Sequence, residues 1–403
     1  MWEDSRSASR RAFLRFLAAS PAIFGAKNAL GQSLTDLYAP EMISKASEAI
    51  NVFDFHEVAK QKLMPGHYTY LALGTDDGGT LRANREGFRK FQVRVRRLVD
   101  VRNIDTSIEL FGERYPLPIM IAPCGSQKAF HPEGEAAVAR AAKSKDVEQI
   151  LSTMTTTSLE EVNAARGKPV WFQLYTNPEW QDTQVLVKRA EAAGCPALVL
   201  TVDLPVSNRE ALARYRRPTN PECQTCHERD LFDKIWGKLR GDAPSKPMVA
   251  GIAIRPSFMD WDFVDRLKDS TSMRLLLKGI VTAEDADLAV KHGVDGIIVS
   301  NHGGRAEDSG RSTIESLSEV VDAVDRRMPV IVDSGFRRGT DIFKALALGA
   351  DAVAIGRPYL WGLSAFGQEG VETVLDLLAR ELQIVMRQAG TTRIEKINRN
   401  FIA

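Results

Sequence analysis

The chain has little of what would set it apart from ordinary globular proteins. Four cysteines in 403 residues, Cys124, Cys195, Cys223 and Cys226, are too few to staple a scaffold, so stability must come from packing. Lys and Arg total 53 against 52 Asp and Glu, a formal net charge of +1. That leaves neither the basic field that neutralises nucleic-acid phosphates nor an acidic tail. No apolar run near the N-terminus is long enough to span a bilayer comfortably, Phe16 to Ala26 included. What is present, 44% hydrophobic and 26% charged residues, suffices for one large core or two modest ones, and a small molecule is the expected partner.

Ser9-Arg10-Arg11-Ala12-Phe13-Leu14-Arg15 precedes that apolar run. Paired arginines before a short apolar stretch resemble the bacterial twin-arginine export signal, which implies a signal peptide over residues 1–31 and a periplasmic protein, free or held at the membrane. Ala29-Leu30-Gly31 offers a small-x-small cleavage site; a basic amphipathic helix is the alternative. Residues 32–115 read as an N-terminal helical segment. Within it a helical pattern runs from Asn51 to Leu63 with Asp54 as cap, and Pro65-Gly66 breaks it. Tyr68 is expected to pack; Tyr70 follows, and a charged helix is expected over Leu81 to Phe91.

After Pro116 and Pro118 the pattern changes. Eight short apolar runs, Ile119–Ala122, Gln149–Ser152, Val170–Leu174, Ala197–Val202, Arg274–Leu277, Gly296–Val299, Val330–Val332 and Ala352–Ile355, alternate with Ala-rich helical stretches. Alternation predicts an α/β fold with a parallel sheet, and eight strands predict a closed (β/α)8 TIM barrel over residues 116–403, with an open doubly wound sheet as competitor. Chemistry in such a barrel collects where strands end. Those positions hold Pro123-Cys124-Gly125, Ser152, Gln173 with Tyr175, Thr201 with Asp203, Lys278, Ser300 with His302, Asp333-Ser334-Gly335 and Gly356-Arg357. His302 and Arg305, separated by two glycines, place a base with a near-neutral pKa beside a carboxylate clamp. The glycines and arginines of the last two loops predict a phosphate-bearing cofactor.

Several runs resemble the FMN-dependent L-2-hydroxy acid oxidase and dehydrogenase family, which includes glycolate oxidase and lactate and mandelate dehydrogenases. They are Ala59-Lys60-Gln61-Lys62-Leu63, His131-Pro132-Glu133-Gly134-Glu135, Phe172-Gln173-Leu174-Tyr175, Leu200-Thr201-Val202-Asp203, Lys278-Gly279-Ile280, Ser300-Asn301-His302-Gly303-Gly304-Arg305 and Arg337-Arg338-Gly339-Thr340-Asp341, in family order. The resemblance implies FMN as cofactor and two-electron oxidation of a small L-2-hydroxy acid to the 2-oxo acid. His302 would be the base, Asp203 its carboxylate partner, and Tyr175 the partner of the substrate hydroxyl. Arg305, Arg209 and Tyr70 would hold the substrate carboxylate. Lys278 would face N1 and O2 of the flavin. Ser152, Gln173 and Thr201 would meet the flavin's pyrimidine edge, with Pro123, Cys124, Gly125 and Ser300 also in the cofactor site. Asp333, Ser334, Gly335, Arg337, Gly356 and Arg357 would hold ribityl and phosphate. No metal is expected; the acceptor would be oxygen, a quinone or a cytochrome, and the family points to a homo-oligomer, commonly a tetramer.

The chain departs from the family at several points. Arg209 sits in a shortened Val206-Ser207-Asn208-Arg209-Glu210; Ala306-Glu307 replaces Gln-Leu; Met154 stands where glycolate oxidases carry an aromatic residue against the substrate. Asp333-Ser334-Gly335 replaces Asp-Gly-Gly, which is expected to add a hydroxyl near the phosphate, and Gly125 is expected to leave space beside the flavin. A long insertion after the fourth strand carries Cys223-Gln224-Thr225-Cys226-His227, the attachment pattern of c-type haem. Haem attachment to unfolded chain conflicts with export of folded protein, so a disulfide, a structural metal or an idle thiol pair are the competing readings. Two rival functions keep the same fold: a flavin electron-transfer protein without catalysis, and another FMN barrel enzyme such as an isomerase or reductase.

Overall fold

Strand pleating decides which residues of the eight apolar runs face inward, and with them the character of each end of the barrel. The structure, a computed structural model, describes residues 42–176, 179–204 and 259–403. A hairpin of β1 (Ile108–Leu110) and β2 (Glu113–Tyr115) precedes β3 (Ile119–Ile121), β4 (Ile150–Ser152), β5 (Trp171–Leu174), β6 (Ala197–Thr201), β7 (Arg274–Ile280), β8 (Gly296–Val299), β9 (Val330–Val332) and β10 (Ala352–Ile355). Strands β3 to β10 are parallel and pair in the order 3-10-9-8-7-6-5-4. Ile121 bridges Gln149, and its N–H donates to the Glu148 carbonyl at 2.8 Å, which joins the two ends of that order. The result is the expected (β/α)8 barrel rather than an open sheet.

Alternate residues fill its interior. Met120, Ile150, Trp171, Val199, Leu276, Ile298 and Ile331 are buried in one cluster with Leu110 and Tyr115 of the hairpin, so β1 and β2 stopper the N-terminal end. Two residues further along the same inward-facing rows stand Ser152, Gln173, Thr201, Lys278, Ser300 and Asp333, all buried. An apolar floor and a polar mouth therefore belong to one face of one sheet.

Two elements differ from the sequence expectation. Strand β7 continues past Leu277 to Ile280, so Lys278 lies inside it; its register with β8 shifts between Lys278 and Ile280, where Gly279 has φ +117°. The hairpin lies in the segment read as helical, because strands of three residues are too short to show alternation.

The first long helix is Val52–Lys62, and its cap is Asn51 rather than Asp54. Asn51 accepts from the Phe53 N–H at 2.8 Å, while Asp54 reaches back to the N–H groups of Ile50 and Asn51, a reciprocal capping box. Pro65 opens the next helix, Pro65–Ala72, where a missing N–H costs nothing. It carries Tyr68, whose hydroxyl meets His56 Nε2 at 2.9 Å, and Tyr70. A third helix, Gly79–Glu86, lies over the loops after β8, through Thr80 to Asp308 and Asn84 to Asn301, and after β9, through Arg85 to the Gly335 carbonyl. Helix Val52–Lys62 packs on the long helix Arg357–Ala389, which kinks at Phe366-Gly367. Among the described residues no helix is long and apolar enough to cross a membrane, and no group of three or more His, Cys, Asp or Glu is placed to hold a metal ion.

Candidate active site

The loop after β8 brings the predicted base into place at a conformational cost. His302, Gly303 and Gly304 are successive left-handed residues, with φ of +58°, +70° and +75°. For a histidine that geometry costs on the order of 1–3 kcal/mol, which neighbouring bonds must offset. They do so on three sides. The Ser300 hydroxyl accepts from the His302 N–H at 3.1 Å, Ser334 Oγ accepts from the Gly303 N–H at 3.0 Å, and Asn301 Oδ1 accepts from the Gly304 N–H at 3.0 Å.

The His302 ring is aimed by Asp203, which follows β6. Nδ1 lies 2.9 Å from Asp203 Oδ1, and Nε2 lies 3.4 Å from the Tyr175 hydroxyl. This approach depends on Gly279: a Cβ there would stand 2.6 Å from that of Asp203. Burial lowers the pKa of His302, and the charges of Lys278 and Arg305 act in the same direction; Asp203 opposes them without reversing the shift. The imidazole is therefore neutral near pH 7, the state a base requires. Burial alone would raise the Asp203 carboxyl, but the charges of His302 and Lys278 hold it below the usual carboxylate value. Among the described residues its second oxygen, Oδ2, has no hydrogen-bond partner.

Three cations surround this pair. Lys278 Nζ lies 3.1 Å from Asp333 Oδ2 and donates to Ser300 Oγ at 2.7 Å; burial opposes its charge, yet Asp333 and Asp203 raise its pKa above the ordinary value. Arg305 donates to the Tyr70 carbonyl, and its guanidinium sits 4.3 Å from the centre of the Tyr70 ring. Arg357 donates to the carbonyls of Leu71, Gly303 and Leu73 at 2.7, 2.8 and 3.2 Å. Burial first, then Arg305, pulls its pKa down to about 10.

The opposite wall is a ladder across three strands: Ser152 Oγ donates to Gln173 Oε1 at 3.0 Å, and Gln173 Nε2 donates to Thr201 Oγ1 at 2.9 Å. At the remaining edge Arg337 is buried, donating to the Phe336 carbonyl at 2.8 Å with its guanidinium 4.6 Å from the centre of the Trp361 ring. Burial and then Arg357 push its pKa well below the usual value. A buried Arg337 and a half-buried Arg357 that repel one another are costly to desolvate, and a multiply charged anion bound between the last two loops would offset that cost. Gly335 and Gly356 flank the same place, and Gly335 leaves no room for a Cβ, which would lie 2.0 Å from the Asn84 carbonyl oxygen.

Two expectations need correction. Gly125 does not leave space, because a Cβ there would stand 2.6 Å from that of Met154 and 3.0 Å from its carbonyl oxygen. The Ser334 hydroxyl is turned to Asp333 Oδ1, at 2.7 Å, and to the Gly303 N–H, so it is committed to the β8 loop rather than offered to a phosphate. Cys124 lies at the mouth beside Gly356 and Tyr359, and burial pushes its thiol up, away from the reactive thiolate. Pro123 joins β3 to this Cys124-Gly125 turn. Arg209, the Cys223-Cys226-His227 motif and the export signal lie outside the described residues.

Positioning residues escaped the sequence reading. Asn84 and Asn301 exchange two buried amide hydrogen bonds of 2.8 and 2.9 Å, which lock helix Gly79–Glu86 to the β8 loop. Glu135, fully buried, accepts from Gln127 N–H, Thr156 N–H and the hydroxyls of Thr156 and Thr157, joining the loops after β3 and β4. Glu135 was visible within the His131–Glu135 run; nothing marked Asn84.

A barrel with a neutral base, a carboxylate behind it, a polar ladder opposite and guanidiniums at the phosphate end defines an oxidoreductase of the flavin-barrel class. The residues fit FMN: the arginine pair suits its phosphate, the Ser152–Gln173–Thr201 ladder its pyrimidine edge, and Lys278 its N1 side. The chain belongs to the FMN-dependent dehydrogenase family, whose pattern it matches over residues 59–403. It is 42% identical to a peroxisomal (S)-2-hydroxyacid oxidase of Arabidopsis thaliana over 88% of this chain and 96% of that protein. A mandelate oxidase mutant with (S)-mandelic acid superposes with a TM-score of 0.76 at 37% identity, covering 88% of this chain and 98% of that one. A flavocytochrome b2 mutant with pyruvate bound gives 0.78 at 32% identity, covering 90% and 88%. The protein is an FMN-dependent oxidoreductase acting on CH–OH groups of 2-hydroxy acids.

Proposed function

We propose that the chain oxidises a small L-2-hydroxy acid to its 2-oxo acid with His302 as the base. The single observation that carries this is the His302–Asp203 pair at 2.9 Å, set between Arg305 and Tyr175. Bound FMN supplies the two-electron acceptor. Arg305 holds the carboxylate, which turns the substrate's CH–OH toward Nε2 of His302; Tyr175 meets the hydroxyl; and Asp203 stabilises the imidazolium once the ring has taken its proton. Arg209 is the second carboxylate ligand in this reading. Met154, pressed against Gly125, shapes the side-chain end of the site. A non-catalytic flavin carrier has no use for a base beside a carboxylate clamp, and an isomerase or reductase does not need the paired arginines.

Anaerobic addition of the L and D forms of lactate and mandelate, and of glycolate, tests the assignment. Bleaching of the oxidised flavin by an L acid and not by its D form is the expected result, and a flavin untouched by every acid contradicts it. Electrons then pass to oxygen, a quinone or a cytochrome. The twin-arginine segment supports a periplasmic location, which cell fractionation with N-terminal sequencing checks. A homo-oligomer is the assembly that the family resemblance implies, which light scattering of the purified holoenzyme checks.

A further inference from the structure

Ser334 is a strained residue with an unexplained hydroxyl. Its φ of +76° puts a non-glycine side chain in the left-handed region, at a cost of roughly 1–2 kcal/mol relative to glycine, and Gly335 beside it is left-handed too. A glycine would remove the strain. The hydroxyl, however, completes a closed circuit beneath the catalytic loop. Ser334 Oγ donates to Asp333 Oδ1 at 2.7 Å; Asp333 Oδ2 pairs with Lys278 Nζ at 3.1 Å; Lys278 donates to Ser300 Oγ at 2.7 Å; Ser300 accepts from the His302 N–H at 3.1 Å; and the next N–H, that of Gly303, returns to Ser334 at 3.0 Å. Every other member of the circuit is backbone or a side chain already assigned to the site. Without the hydroxyl the ring opens at one point, and both Asp333 Oδ1 and the Gly303 N–H lose a partner.

We propose that Ser334 is a positioning residue which sets how much of the Lys278 charge reaches the flavin. Its hydrogen bond satisfies part of the Asp333 carboxylate charge, so Asp333 draws less on Lys278, and the ammonium keeps a stronger positive field at the flavin's N1 side. That field favours the reduced, anionic flavin. The same hydroxyl fixes Gly303, and through it the backbone of His302. The inference rests on the reading that places Lys278 against the flavin.

The test is the equilibrium reduction potential of the bound flavin in wild type, Ser334→Gly, Ser334→Ala and Lys278→Gln. Both Ser334 variants should shift the oxidised-to-reduced ratio about 3- to 10-fold toward oxidised, or about 15 to 30 mV for a two-electron couple. Because glycine relieves the backbone strain while both variants lose the same two hydrogen bonds, Ser334→Gly should show this shift and melt higher than Ser334→Ala, which keeps the strain. A merely structural role would move the melting temperatures and leave the potential alone. Unchanged potentials in both Ser334 variants, with a lowered potential in Lys278→Gln, would overturn the inference alone. An unchanged potential in Lys278→Gln would overturn the placement of Lys278 and the inference with it.

Discussion

At a single residue, His302, the proposed chemistry needs an imidazole that is neutral, oriented and able to accept a proton. Burial keeps His302 neutral by lowering its pKa from 6.5, and Asp203 works against burial. Asp203→Asn removes the charge that raises the His302 pKa, so the acid limb of flavin reduction against pH should move to lower pH. It also removes the stabilisation of the imidazolium and presents an N–H to Nδ1, so the rate should fall about 10²- to 10⁴-fold. Rapid-mixing measurement of flavin reduction across pH 5 to 8 checks both. Residue types of this kind were legible, since a histidine, a lysine and aspartates directly after apolar runs stand out. Their supports were not: a serine or an asparagine becomes a positioning residue only through what the fold sets beside it, as Ser334 and Asn84 show.

At the scale of elements, the N-terminal helices finish a site that the barrel begins. Helix Pro65–Ala72 sets the Tyr70 ring under Arg305 and offers carbonyls to Arg305 and Arg357, while helix Gly79–Glu86 brings Asn84 to Asn301. Truncation by Asn84→Ala leaves the Asn301 amide buried without its reciprocal partner, a loss of about 1–3 kcal/mol. Urea denaturation should show that loss, and flavin reduction should slow because the same amide holds Gly304. The barrel strands were readable because buried parallel strands are short, continuous apolar runs. The β1–β2 hairpin was not, nor was the extension of β7, which needs a left-handed glycine where the run ceases to be apolar.

The whole molecule shows a division between ends: the mouth holds the chemistry, and the stoppered floor holds a titratable group that the chemistry does not use. Glu148, at the barrel seam, is buried, so its pKa is raised from 4.5 to about 7 despite the Tyr115 hydroxyl donating to it at 3.0 Å. Since the folded value lies above the unfolded one, this group's contribution to stability is fully present below about pH 4.5 and is lost as pH rises through about 7. It amounts to about 3 kcal/mol. Glu148→Gln should therefore flatten the fall in unfolding free energy between pH 5 and pH 8, measured by denaturant titration, without moving the substrate preference.

Whether His302 is the base for oxidation of a 2-hydroxy acid can be read from a single comparison. The anaerobic rate of flavin reduction by an L acid that bleaches the wild type is measured again in His302→Ala with its FMN still bound. A fall of about two to four orders of magnitude, with the flavin spectrum otherwise retained, is expected. Reduction at the wild-type rate in the variant would contradict it.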